Sequence, residues 1–150
     1  MIEHRSWDRA WALLFARGVL GLIFFMAGVY KVFQMGAMTH AEVLFIEQYK
    51  DTFLPLWSLW LTGTTIPFIE LIAGALLLLG FWSRPALIAL GTVLLLVTFG
   101  HLLKEPFYGT NVHVIPRLIL VLFILMLPKT DDRFSLRGVV GMLRSRSRRT

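Results

Sequence analysis

Four apolar runs, each near the length that crosses a bilayer, constrain this 150-residue chain more than any other feature. The hydrocarbon core is ~30 Å thick and a helix rises ~1.5 Å per residue, so ~20 mostly apolar residues make a span. Residues 11–33, 59–82, 84–103 and 112–127 qualify; the last is the shortest, and Pro128 stops it. Hydrophobic residues make up 57% of the chain and charged residues 16%. A soluble fold of this size would have too few charges to cover its outside. The expectation is an all-α integral membrane protein: a four-helix transmembrane bundle over residues 1–128, followed by a basic tail over residues 129–150.

The first run is longer than a signal-peptide core, and no small-residue cleavage motif followed by a polar chain succeeds it, so it reads as a retained helix. Four spans put the N-terminus, the turn at residues 81–85 and the tail on one side. That side carries Arg5, Arg9 and Arg84, joined by Lys129, Arg133, Arg137, Arg144, Arg146, Arg148 and Arg149. The other side has Lys50 and Lys104, with Lys31 near its boundary. The excess of basic residues predicts that both termini are cytoplasmic. The net charge of +6 sits largely beyond the last run. There it meets anionic lipid headgroups more readily than nucleic acid, which is not expected as a partner. The chain has no cysteine, which excludes thiol redox motifs, disulfides and Cys-ligated metals.

The outer connection, residues 34–60, is the one substantial non-spanning stretch before the tail. Within it residues 41–50 mix acidic and apolar positions as a short amphipathic helix does, Pro55 ends that piece, and Trp57 and Trp60 suit a membrane interface. It reads either as an interfacial re-entry segment or as a lid over a site.

Charges at membrane depth cost ~2.5–3.5 kcal/mol each on insertion scales, so their placement is informative. At ~100° per residue, Arg17, Gly21, Gly28 and Lys31 share one narrow face of the first helix. In the second helix, Gly63, Pro67, Glu70 and Gly74 form one stripe. In the third, Arg84, Gly91, Thr98 and His101 share a face; in the fourth, His113 and Arg117 are a turn apart beside Pro116. Small-residue seams that carry the polar groups should face inward. Depth then gathers Lys31, Glu70, His101, His113 and Arg117 in the outer half, leaving Arg17 in the inner half. Glu70 could neutralise Arg117 or Lys31 as a structural ion pair, could hold a ligand head group with them, or Lys31 could snorkel to the interface.

Arg17-x3-Gly21, Ala27-Gly28-x2-Lys31, Pro67-x2-Glu70-x3-Gly74 and Leu79-Gly80-x3-Arg84-x-Ala86 occur in that order. Over about residues 17–101 this resembles the DoxX family of small bacterial membrane proteins. The resemblance implies a four-helix bundle in the bacterial inner membrane, with Arg17, Lys31, Glu70 and Arg84 as the family's polar positions. It also implies a link to redox chemistry, since relatives include a subunit of a thiosulfate:quinone oxidoreductase.

Three functions fit these residues. The first is a quinone-interacting subunit of a membrane oxidoreductase, in which His101, Lys31 or Arg117 donates to quinone carbonyls and Glu70 or His101 exchanges protons. Electrons would then come from a partner redox subunit. The second is bis-histidine haem b binding by His101 and His113. The third is a non-catalytic scaffold or assembly factor, alone or as a homo-oligomer. Two histidines and one carboxylate at unfixed geometry make no credible metal site, and no metal is expected. A channel or transporter is disfavoured because no paired broken helices occur. Whether the chain is itself an enzyme is left open by these residues.

Overall fold

The computed structural model describes residues 2–105, 112, 114–128 and 134. Among these residues the chain is entirely helical. Helix α1, Ile2–Val29, has no proline to interrupt it and runs into a π-helical turn, Tyr30–Gln34. There the Met35 N–H reaches back to the Tyr30 carbonyl at 2.9 Å. Gly36, at φ +86°, turns the chain into the outer segment. That segment is α2 (Ala37–Ala41), a second π-helical turn (Glu42–Ile46) and α3 (Glu47–Tyr49). It begins earlier than the amphipathic pattern over residues 41–50 predicts, because Ala37 to His40 already lie in helix.

Pro55, extended, opens α4, Leu56–Leu79. Gly80 closes it in the left-handed region at φ +66°, where Gly80 N–H bonds the Leu77 carbonyl at 3.1 Å and Phe81 N–H the Leu76 carbonyl at 3.0 Å. This pairing satisfies carbonyls that a helix end otherwise leaves open. Helix α5 is Ser83–Lys104 and α6 is Ile115–Met126, with Pro116 in the first turn of α6. Leu127 is extended, as a residue before proline is biased to be, and α6 ends there.

Three stretches, Trp7–Gln34, Leu56–Leu79 and Ser83–Lys104, are long and apolar enough to cross a membrane. Within the fourth run expected over residues 112–127, the described helix is α6, a 12-residue apolar helix. At 1.5 Å per residue it rises only ~18 Å. It nevertheless completes the bundle. Val121 and Ile124 join Leu20 of α1, Leu77 of α4 and Leu87 and Leu90 of α5 in one core. The outside is apolar too; Leu95 is 72% exposed and Phe15 64%. Such a surface suits lipid, and the spans place this four-helix bundle in a membrane.

Helices α1 and α4 run antiparallel with their backbones almost touching. A Cβ on Gly28 would lie 2.6 Å from Leu71 Cα, and one on Gly74 would lie 2.8 Å from Phe25 Cα. The glycine seams read from the sequence are the helix–helix contact, in the manner of small-residue packing in lipid. Hydroxyls at depth answer to their own helices: Thr98 donates to the Leu94 carbonyl at 2.7 Å and Thr65 to Leu61 at 2.6 Å.

Phe134 is the one described residue beyond 128, and it lies against α1. Its ring is 4.7 Å from that of Trp11, and its carbonyl accepts from Arg17 Nη2 at 3.4 Å. The rest of the basic tail lies outside the described residues.

Candidate functional site: a polar cavity between the outer segment and the bundle

The glycine seam sets up the site by bringing α1 and α4 together at their polar ends. One turn beyond Gly28, Lys31 sits in the π-helical turn, and its Nζ donates to Glu70 Oε2 at 2.6 Å. The Glu70 side chain is 7% exposed and that of Lys31 24%. Of the two partners the sequence left open for Glu70, Lys31 makes the direct contact. Arg117 also attracts the Glu70 carboxylate electrostatically. The Arg117 guanidinium carbon lies 6.0 Å from the centre of the Phe24 ring, a cation–π distance.

A second polar contact joins the outer segment to α4. Pro67 stands inside α4 and has no N–H, so the carbonyl four residues earlier, that of Gly63, has no helical donor. His40 of α2 supplies one: its Nδ1 donates to Gly63 O at 2.8 Å. The approach is possible because Gly63 has no side chain; a Cβ there would lie 2.7 Å from Ala41 Cα. His40 is 2% exposed. Burial, with the Lys31 charge adding to it, holds the imidazole below the ordinary histidine range, against the pull of the Gly63 hydrogen bond.

Between the outer segment, α4 and α5 lies a cavity of about 390 Å³, within the usual range for small-molecule sites. Its walls are mostly apolar, including Leu44, Phe45, Leu59, Ile66 and Val97. Lys31, His40, Tyr49 and His101 bring polar atoms to it. The outer segment therefore forms one wall of the cavity.

Four of the five residues expected to converge have described positions. Lys31 and Glu70 are in contact, His101 lines the same cavity as Lys31, and Arg117 lies within electrostatic reach of Glu70. His113 lies outside the described residues, and with it one half of the bis-histidine arrangement. His101 does not turn to Glu70 as a hydrogen-bond partner. Its Nδ1 donates to the Val97 carbonyl of its own helix at 2.7 Å.

The remaining polar positions stand apart. Arg17 is buried, roughly 20 Å along α1 from Lys31 by helix rise, and Arg84 is exposed at the start of α5. His40 and Tyr49 were not among the residues singled out from sequence. The signal for His40 was Pro67: a proline within a span leaves a carbonyl four residues back that needs a donor from a neighbouring segment.

Small size, an apolar exterior, a glycine-seamed bundle and a buried charge pair together define a compact helical membrane protein with a polar cavity near one end of its spans. The family model described as methylamine utilisation protein MauE matches residues 9–113, and the chain belongs to that family. No curated protein and no solved structure matches the chain with significance.

Proposed function

We propose that this MauE-family protein is an accessory membrane component of quinone-linked redox chemistry and that its cavity seats a quinone ring. The observation that carries the reading is the cavity itself: apolar walls at the depth of the membrane helices, with Lys31 and two histidines brought to one space. Pockets of this kind between bundle helices take flat apolar ligands and orient them with a few polar groups. The name of the family ties it to methylamine utilisation. Oxidising an amine carbon releases electrons that need an acceptor, and the DoxX-like order of motifs supports the same redox setting. In this reading the chain lies in a bacterial inner membrane with both termini cytoplasmic. Its basic tail meets anionic headgroups, and a partner subunit supplies the electrons.

The test is an organic extract of the protein purified in mild detergent. About one quinone per chain is expected, and Leu44→Trp, which fills the cavity without touching a charge, should lower it severalfold. Absence of quinone from the extract, together with no binding of added quinone, would sink the proposal. A Soret band in the same sample would favour haem.

One observation favours a scaffold instead. Lys31 and Glu70 already satisfy each other at 2.6 Å, as a purely structural pair would. On that reading, substitutions at the pair change stability and leave the cavity without an occupant.

A further inference from the structure

The polar atoms of the cavity are not all of one kind, and their difference selects between the two redox forms of a quinone. Pro67 leaves the Gly63 carbonyl without a helical donor, and a carbonyl can only accept. The 2.8 Å contact therefore places the His40 proton on Nδ1. In a neutral imidazole, Nε2 is then a lone-pair acceptor. Among the described residues Nε2 has no hydrogen-bond partner. Among the described residues no buried side-chain nitrogen or oxygen lacks a partner, so Nε2 opens onto the cavity that His40 lines. A residue that is 2% exposed thus presents one unpartnered acceptor to that space.

Lys31 has the opposite character. It is a three-proton donor with one proton engaged by Glu70 Oε2. His101 also lines the cavity, and its Nδ1 donates to the Val97 carbonyl.

We propose that the cavity binds the reduced, hydroxyl-bearing form of a quinone in preference to the oxidised dione, with His40 Nε2 accepting the hydroxyl proton in a hydrogen bond and Lys31 donating to a ring oxygen. This rests on the quinone reading above. A dione carries only acceptors: it can meet Lys31 but sets a carbonyl lone pair against that of His40. A quinol answers both, since each of its oxygens can donate and accept. A buried polar atom left unmet costs ~1–3 kcal/mol, or roughly 5- to 150-fold in affinity. A preference of at least about fivefold for quinol follows. For a two-electron couple, tenfold tighter binding of the reduced form raises the bound midpoint potential by about 30 mV.

The experiment is calorimetric titration of the full chain in lipid nanodiscs with a decyl-substituted benzoquinone and, under reducing conditions, with its quinol. Wild type should bind the quinol about fivefold or more tightly than the quinone. In His40→Asn the amide N–H can still reach the Gly63 carbonyl while the Nε2 acceptor is gone. That variant should bind the two forms within about twofold, chiefly through weaker quinol binding. Equal affinities or a preference for quinone in wild type would overturn the inference while leaving the quinone site standing. An unchanged quinol preference in a folded His40→Asn would overturn the role of His40. Binding of neither form would overturn the quinone reading and this inference with it. Should His40→Asn not fold, the wild-type affinity ratio alone decides.

Discussion

His40 donates the hydrogen bond that Pro67 denies to its own helix. The two residues belong to different elements and meet through the Gly63 carbonyl, which accepts from His40 Nδ1 at 2.8 Å. The proline thereby pins the outer segment to α4 at one point, and Gly63 gives that segment room to approach. The interaction is a three-residue device, and its energetics are separable by substitution.

Removing the imidazole alone, in His40→Ala, should destabilise the protein by about 1–3 kcal/mol, because a buried carbonyl loses its donor. Pro67→Ala restores an N–H to α4. In that background His40→Ala should cost well under half as much. A double-mutant cycle in detergent, followed by thermal unfolding, reads the coupling directly. Additive effects would mean that Gly63 finds another donor.

The Lys31–Glu70 pair predicts an asymmetry between its partners. Lys31→Met leaves Glu70, the more buried member, without its direct partner, and should cost about 3 kcal/mol or more. Glu70→Gln leaves a lysine with more access to its surroundings and should cost less. The double variant Lys31→Met, Glu70→Met should recover most of the loss in melting temperature.

Glycine substitutions should sort by whether the position faces a neighbouring helix. Gly74→Ala sets a methyl group against the backbone of Phe25 and should destabilise by about 1–3 kcal/mol. Gly18 has nothing within 4 Å of a Cβ position. Gly18→Ala should therefore be neutral or stabilise by up to about 1 kcal/mol through helix propensity. Melting temperatures of the two variants against wild type check both.

Stability should depend on pH through His40. Burial and Lys31 lower its affinity for protons in the folded protein relative to the ordinary value of 6.5. Below about pH 6.5 the unfolded chain then binds more protons than the folded one, so stability falls as pH falls toward the lowered folded value and is flat above 6.5 with respect to this group. The groups around His40 are the Lys31 ammonium, the Gly63 carbonyl and the Phe45 ring, with Tyr49 and His101 lining the same cavity. Melting curves from about pH 5 to pH 8 should show the slope in wild type and lose it in His40→Asn.

Much of this architecture was legible in the chain. Apolar length marked three spans and the core-facing helix α6, because lipid leaves backbone groups no partner outside a helix. Helical phase placed Lys31 with Gly28 and Glu70 with Gly74, and the observed contact joins those two faces. The details of the site were less legible. Glu70 had two cations at similar depth, and only the crossing of α1 over α4 decides which one touches it. The ring orientation of His101 follows from a bond to its own helix that competes with every tertiary partner. His40 was missed because its task is set by a proline in another segment, a relation that periodicity does not carry.

The two π-helical turns, Tyr30–Gln34 and Glu42–Ile46, have a consequence for relatives of this chain. Each wide turn holds one more residue than an α-helical turn, so the side chains after it are rotated by about 100° relative to an unbroken α-helix. Lys31 lies inside the first such turn, and Phe45 inside the second. Loss of a single codon in either turn would leave the apolar spans intact and the protein still inserted in its membrane. It would nonetheless swing one wall of the cavity away from the other. A one-residue gap at either place should therefore change the shape of this cavity more than a substitution elsewhere in the spans.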